Sequence, residues 1–167
     1  RTSGPILLIQ ELITNMLRGD RRAQARLLSL LDLNNQTMAS ISKAVLPHLG
    51  NSYCVGITGP PGAGKSTIVD CLIKLIRKDE MKIGVLAIDP TSPFTGGAIL
   101  GDRIRMRNHY LDQNIFIRSL GTRGVHGGLS RIIGTAINLM SSFGFELIIV
   151  ETVGVGQTEL DIINVDD

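Results

Sequence analysis

Two kinds of hydrophobic patterning divide the chain near residue 50. Before that point apolar residues recur at helical spacing. Ile6, Leu7, Ile9, Leu12, Ile13, Met16 and Leu17 form one stripe, which Gly19-Asp20 interrupts. Asp20 suits the N-cap of a second helix carrying Ala23, Leu27, Leu28, Leu30 and Leu31. Asn34-Asn35 separates it from a third helix through Met38, Ile41, Ala44 and Val45, ending near Pro47 and Gly50. Arg21, Arg22 and Arg26 read as a solvated face of the second helix.

From Asn51 the pattern changes to short buried runs alternating with amphipathic stretches. Tyr53-Cys54-Val55-Gly56-Ile57-Thr58 and Ile83-Gly84-Val85-Leu86-Ala87-Ile88 read as buried strands, Ile115-Phe116-Ile117 as a short third, and Leu147-Ile148-Ile149-Val150 as a fourth. Helices are expected from Thr67 to Ile76 and over residues 128–142. Strands alternating with helices predict a mostly parallel α/β sheet with helices on both faces. Ligands in such sheets sit beyond the carboxyl ends of the strands.

The residues beyond the first strand say which ligand. Gly59, Pro60, Pro61, Gly62, Ala63, Gly64, Lys65 and Ser66 are a complete G-x-x-x-x-G-K-[ST] phosphate-binding loop, with Thr67 following. Glycines let successive backbone N–H groups turn inward as an anion nest, and the helix that follows adds its positive dipole end. Lys65 can reach the β- and γ-phosphates, and the Ser66 hydroxyl is placed for Mg²⁺. A strand before the motif and a helix after it are the context it requires. The fold expected is therefore a P-loop NTPase, with residues 1–50 as an N-terminal helical extension and 51–167 as the nucleotide domain.

Three acidic residues follow the strands: Asp89 in Asp89-Pro90-Thr91-Ser92-Pro93, Asp102 in a Gly-rich stretch, and Glu151 at the head of Glu151-Thr152-Val153-Gly154-Val155-Gly156-Gln157. A triphosphate carries about four negative charges, so carboxylates close to it make sense only around a cation. Mg²⁺ takes few protein oxygens beside waters and phosphate oxygens. Ser66, Asp89, Asp102 and Glu151 are the candidate metal ligands, direct or through water. Each acid could equally cap a helix or form a turn. Gly154 resembles the glycine whose N–H meets a γ-phosphate in switch-type NTPases, and Gln157 is a candidate for orienting the attacking water, the alternative being a merely solvated loop residue. Lys65, Asp102, Glu151 and Gln157 form the candidate catalytic set. Arg103, Arg105, Arg107, Arg118, Arg123 and Arg131 are expected in the loops that face the nucleotide, mostly as surface charge, with Arg103 and Arg123 open to a role in transfer.

Composition narrows the rest. A net charge of +2 is too small to argue for a nucleic-acid or membrane surface. No apolar run approaches the roughly 18 residues a membrane span needs. Cys54 and Cys71 read as small buried core residues in a reducing compartment. His48, His109 and His126 share no metal-ligand spacing with them, which argues against zinc. The chain opens on Arg1 rather than Met and stops at Val165-Asp166-Asp167, just after the motif that begins at Glu151, so it is expected to be part of a longer one. On that expectation the Val85 and Ile148 strands would expose apolar surface.

The phosphate loop, the run Val85 to Pro93, the run Thr95 to Met106 and the run Val150 to Glu159 together closely resemble the MeaB/ArgK family. The resemblance extends more weakly through the helical extension. It implies a GTPase that binds GTP, GDP and Mg²⁺ and acts as chaperone for an adenosylcobalamin-dependent acyl-CoA mutase, chiefly methylmalonyl-CoA mutase. Such proteins gate cofactor delivery and protect the mutase. The same resemblance matches Glu151 to the family's counterpart of the Walker B aspartate, and Asp89 and Asp102 to its other acids around Mg²⁺. It also implies a homodimer in the cytoplasm, or in the mitochondrial matrix of a eukaryote. Residues 96–107 and 154–159 would be the two switches. No Asn-Lys-x-Asp motif for reading guanine occurs in this chain. Two rivals stay open: an ATPase or small-molecule kinase of the transport-linked type, and a nucleotide-binding piece without catalysis.

Overall fold

The computed structural model describes residues 3–31, 35–60, 62–93, 109, 111–123 and 129–152. Three helices lead: α1 (Ser3–Leu17), α2 (Arg21–Leu30) and α3 (Asn35–Val45). Then follow β1 (Tyr53–Ile57), α4 (Lys65–Ile76), β2 (Ile83–Pro93), β3 (Ile115–Arg123), α5 (Leu129–Phe143) and β4 (Leu147–Thr152). Asp20 caps α2 as expected, its carboxylate accepting from the amides of Arg22 at 2.8 Å and Ala23 at 3.3 Å. Such a cap stabilises by about 1 kcal/mol. No described helix is long and apolar enough to cross a membrane.

All four strands are parallel, in the order β1-β4-β2-β3. The central place of β4 buries it from end to end. Alternation then sorts side chains between the faces. Leu86, Ile88, Phe116, Leu120, Ile148 and Val150 join a core with α1, α2, α3 and α5. Ile83, Val85, Ile115, Leu147 and Ile149 face α4 through Val69 and Ile73. Gly84 lets α5 lie close: a Cβ there would meet Met140 Sδ at 2.9 Å.

Several expectations change. Strand β2 runs on through Asp89-Pro90-Thr91-Ser92-Pro93, where the prolines suggested a loop, and β3 continues to Arg123. The two tails pair, Asp89 with Gly121 and Pro93 with Arg123, with a register shift between. Such an irregularity is where a strand tolerates proline, which has no N–H for the ladder. The expected exposure of Val85 and Ile148 is not found, because both strands are interior and both residues are fully buried. Exposed apolar groups lie elsewhere, among them Tyr53 (76% exposed) and Val55 on edge strand β1, Ile68 and Leu75 on α4, Leu7 on α1, and Leu111. Cys71 is exposed and Cys54 half-buried, so neither is the core residue expected. Both belong to those same elements, β1 and α4.

Arg21 is no mere surface charge. It donates to the carbonyl oxygens of Gln113 (3.0 Å) and Ile115, and its guanidinium lies 5.6 Å from the centre of the Phe116 ring. It clamps α2 onto the start of β3. Arg22 and Arg26 are solvated, as read.

Candidate functional site

Strand β1 delivers the chain into the phosphate loop, and α4 takes it away. Gly62 and Gly64 hold φ of 77° and 86°, a left-handed region that a side chain would disfavour. Gly64 is the N-cap of α4, and no side chain caps that helix. Its first amides therefore lack side-chain partners and present the dipole's positive end to the loop. The loop closes on itself through the Ala63 amide, which donates to Pro60 O at 3.2 Å. Pro61 lies outside the described residues.

Lys65 opens α4 and is buried. Its ammonium arches back over the loop and donates to the carbonyl oxygens of Gly59 and Pro60, the latter at 2.9 Å. These contacts hold the cation over the loop, within reach of any anion the nest accepts. Thr67 is exposed in the first turn of the helix.

Ser66 meets the sheet. Its hydroxyl donates to Glu151 Oε1 at 2.8 Å, and Glu151 is only 2% exposed. The strand period explains the meeting. Leu147 and Ile149 face α4, so Glu151, two residues on, turns the same way beneath its first turn. Register sets the height, since Glu151 pairs with Ile57, the last residue of β1 before the loop, and with Ala87 of β2. Beside it the Thr152 hydroxyl donates to that of Thr58 at 3.0 Å, tying the ends of β4 and β1 together. A hydroxyl and a carboxylate are hard oxygen donors, the kind Mg²⁺ prefers. The donor set fits that ion.

Of the other candidates, Asp89 is described only as backbone, in β2 just past the strand positions level with Glu151 and Thr152. Asp102, Gly154 and Gln157 lie outside the described residues, as do Arg103, Arg105, Arg107 and His126. Arg123 is described only as the last backbone residue of β3. Two arginines expected near the nucleotide face elsewhere. Arg118 donates to Ser29 of α2 at 2.5 Å, and Arg131 is exposed on α5 beside α3.

Sequence reading missed a second polar cluster, on the far part of α4. Buried His109 Nε2 lies 2.6 Å from Asp70 Oδ1, while Lys74 sits 2.6 Å from Oδ2. One turn on, Arg77 donates twice to Asp112, from Nε at 2.6 Å and Nη2 at 3.1 Å. Lys74 first, and His109 after it, hold the Asp70 carboxyl below its ordinary range. Arg77 does the same for Asp112. These pairs fasten His109 and Asp112 to the helix that starts at Lys65 and to Arg77 at its end. Only the Asp70–Lys74 spacing of four was visible in the sequence.

A profile of the family described as methylmalonyl Co-A mutase-associated GTPase MeaB matches residues 25–167. The chain belongs to the MeaB family. GTPase ArgK of Escherichia coli is 36% identical over 163 residues, covering 95% of this chain and 49% of its own length. A Pyrococcus abyssi protein provisionally named a GTPase is 54% identical over 160 residues, covering 96% of this chain and 50% of its own. The mouse methylmalonic aciduria type A homolog, a mitochondrial protein, is 34% identical over 173 residues, with 95% and 42% covered. The chain thus spans about half the length of these relatives. The crystal structure of a LAO/AO transport system kinase matches with a TM-score of 0.68 at 29% identity, over 92% of this chain and 46% of that one. Likeness to MeaB-family proteins thus extends over the sheet, its flanking helices and the phosphate loop.

Proposed function

We propose that this chain carries the phosphate-binding and metal-binding half of a GTPase that serves an adenosylcobalamin-dependent acyl-CoA mutase. The contact between Ser66 and buried Glu151 supports this most directly, because it brings the loop hydroxyl to the acid at the end of the adjacent strand. Membership of a family described as mutase-associated GTPases supports the nucleotide and the partner class.

In this reading the N–H groups of the loop, from Gly62 to Thr67, cradle the phosphates. Lys65 leaves the carbonyls of Gly59 and Pro60 for the β- and γ-phosphate oxygens, neutralising charge as the terminal phosphoryl group leaves. Ser66 and Glu151 would hold Mg²⁺, joined by Asp89 and Asp102 directly or through water. When bound, that ion would supply positive charge to offset the charge of the phosphates. Gln157 orients the attacking water. Guanine preference, hydrolysis and mutase contact belong to the whole protein, with residues 51–167 as its nucleotide domain and 1–50 as a helical extension.

Calorimetry with GTP, GDP and ATP, together with product analysis, tests the reading. Tight GTP binding and release of free phosphate are expected. Transfer of phosphate to a small acceptor would favour a kinase instead, the reading suggested by the name of the transport-system neighbour.

A further inference from the structure

A groove runs between α3 and α5, well apart from the phosphate loop and sharing no residue with it. It encloses about 420 Å³, within the range of small-molecule sites. Its origin is readable in the sequence. Ala39 of α3 and Gly134 of α5 present almost no side chain where the helices face each other, and buried Met38 and Thr135 form the floor. Ser142 pins the helices at one end, its hydroxyl donating to Val45 O at 3.2 Å.

The groove carries charge of one sign. Lys43 and Arg131 both line it, and no acidic residue does. Among the described residues neither cation has a carboxylate within ion-pair distance. Four other cations are engaged, Lys74 with Asp70, Arg77 with Asp112, Arg21 with two carbonyls and Arg118 with Ser29, while Arg22 and Arg26 are solvated on a convex helix face. Both side chains are exposed, and two like charges lining one concave, partly apolar surface make it locally positive and attractive to an anion. Arginine adds a fork suited to carboxylate or phosphate oxygens. Ser42 and Asn138 contribute further polar groups to the wall, and Leu46 an apolar rim.

We propose that this groove binds a small organic anion, its carboxylate or phosphate head between Lys43 and Arg131 and its apolar body over Met38, Ala39 and Leu46. The inference stands independently of the nucleotide reading. A concave site of this volume, with an apolar floor under the charges, favours a compact ligand over a flat protein surface.

The test titrates the full chain with hexanoate, hexyl phosphate, hexanol and inorganic phosphate, followed by calorimetry and by amide shifts of residues 38–46 and 131–138. One or both chain-bearing anions should bind at least about tenfold more tightly than hexanol or inorganic phosphate, since each charge-assisted contact contributes roughly a factor of ten or more. Lys43→Glu and Arg131→Glu, both at exposed side chains, should each weaken that binding about tenfold or more while leaving the melting temperature and nucleotide affinity unchanged. The relative affinities of hexanoate and hexyl phosphate identify which head group the site prefers. Equal binding of hexanol, equal binding of inorganic phosphate, or unchanged affinity in both variants would overturn the proposal. So would capture of an acidic peptide with no response to any small anion, which would make the groove a protein-docking surface.

Discussion

The two faces of the sheet are built to different depths. On one side α1, α2, α3 and α5 share twenty-three buried apolar residues with the sheet, among those described. On the other, α4 is the covering helix among the described residues, and the corresponding cluster has seven. The phosphate loop, Lys65 and Ser66 belong to the thin side, with apolar groups at Ile68 and Leu75 open to solvent. Among the described residues apolar packing is concentrated away from the loop, and α4 adds polar fastening through Asp70 and Arg77. An element that must respond to a ligand is better placed where local packing is light.

The largest effect should come from thinning the thick face. Leu28 is fully buried in the four-helix layer, and Leu28→Ala removes its contacts and leaves a cavity. A loss of about 3 kcal/mol is expected. Ile73→Ala, at the centre of the α4 cluster, should cost less, about 2 kcal/mol, and should also weaken nucleotide binding. Urea melts of the two variants provide the comparison. If Ile73→Ala proves the more damaging, the faces are not unequal in the way described.

Function and stability should separate at Lys65. Lys65→Ala is expected to lower triphosphate affinity by about a hundredfold, as loss of a charged contact to two phosphates implies, while the melting temperature stays within about 2 °C. Native stability with native affinity would remove Lys65 from the phosphates. A smaller, more selective change is expected for Glu151→Gln. Turnover should fall at least tenfold, roughly the contribution of one charged group at the transferring phosphoryl, with GDP affinity nearly unchanged. Equal losses of GDP and GTP binding with unaltered turnover would make Glu151 a scaffold for Ser66 only.

What could be read in the sequence was local. The phosphate loop is eight consecutive residues, and Glu151 follows an unbroken apolar run, so both were visible without knowing the fold. The order of the strands was not. It decides that Val85 and Ile148 are interior and that Tyr53 stands on an edge, and pairing between parallel strands leaves no trace in either strand alone. Pro90 and Pro93 argued for a loop by their own chemistry, and the partner tail of β3 overrode it. Arg21 and Arg118 find their partners about ninety residues away, so their charge looked merely solvated or free for nucleotide. Cys71 fits a helix interior by type, yet lies on the exposed side of the thinly covered face.

The smallest expected effect probes how α4 is held. Asp112 has its carboxyl pulled below its ordinary value of 3.8, chiefly by Arg77 and with help from the Asn114 amide. A depressed folded value means that folding favours the ionised form. The stabilisation is therefore full above about pH 4 and is lost as pH falls through the lower, folded value. At neutral pH, Asp112→Asn should cost about 1 kcal/mol, since the pair is bidentate yet partly open to water. The gap in urea midpoint between wild type and variant should hold steady from pH 7 to about 5 and close progressively below about 4. Arg77→Gln should show the same closure, because it removes the other half of the pair. A gap that widens on acidification, or that persists unchanged at pH 3, would mean that Asp112 acts through its shape and its bond to Asn114 rather than through its charge. Helix α4 would then be held on the thin face by packing after all.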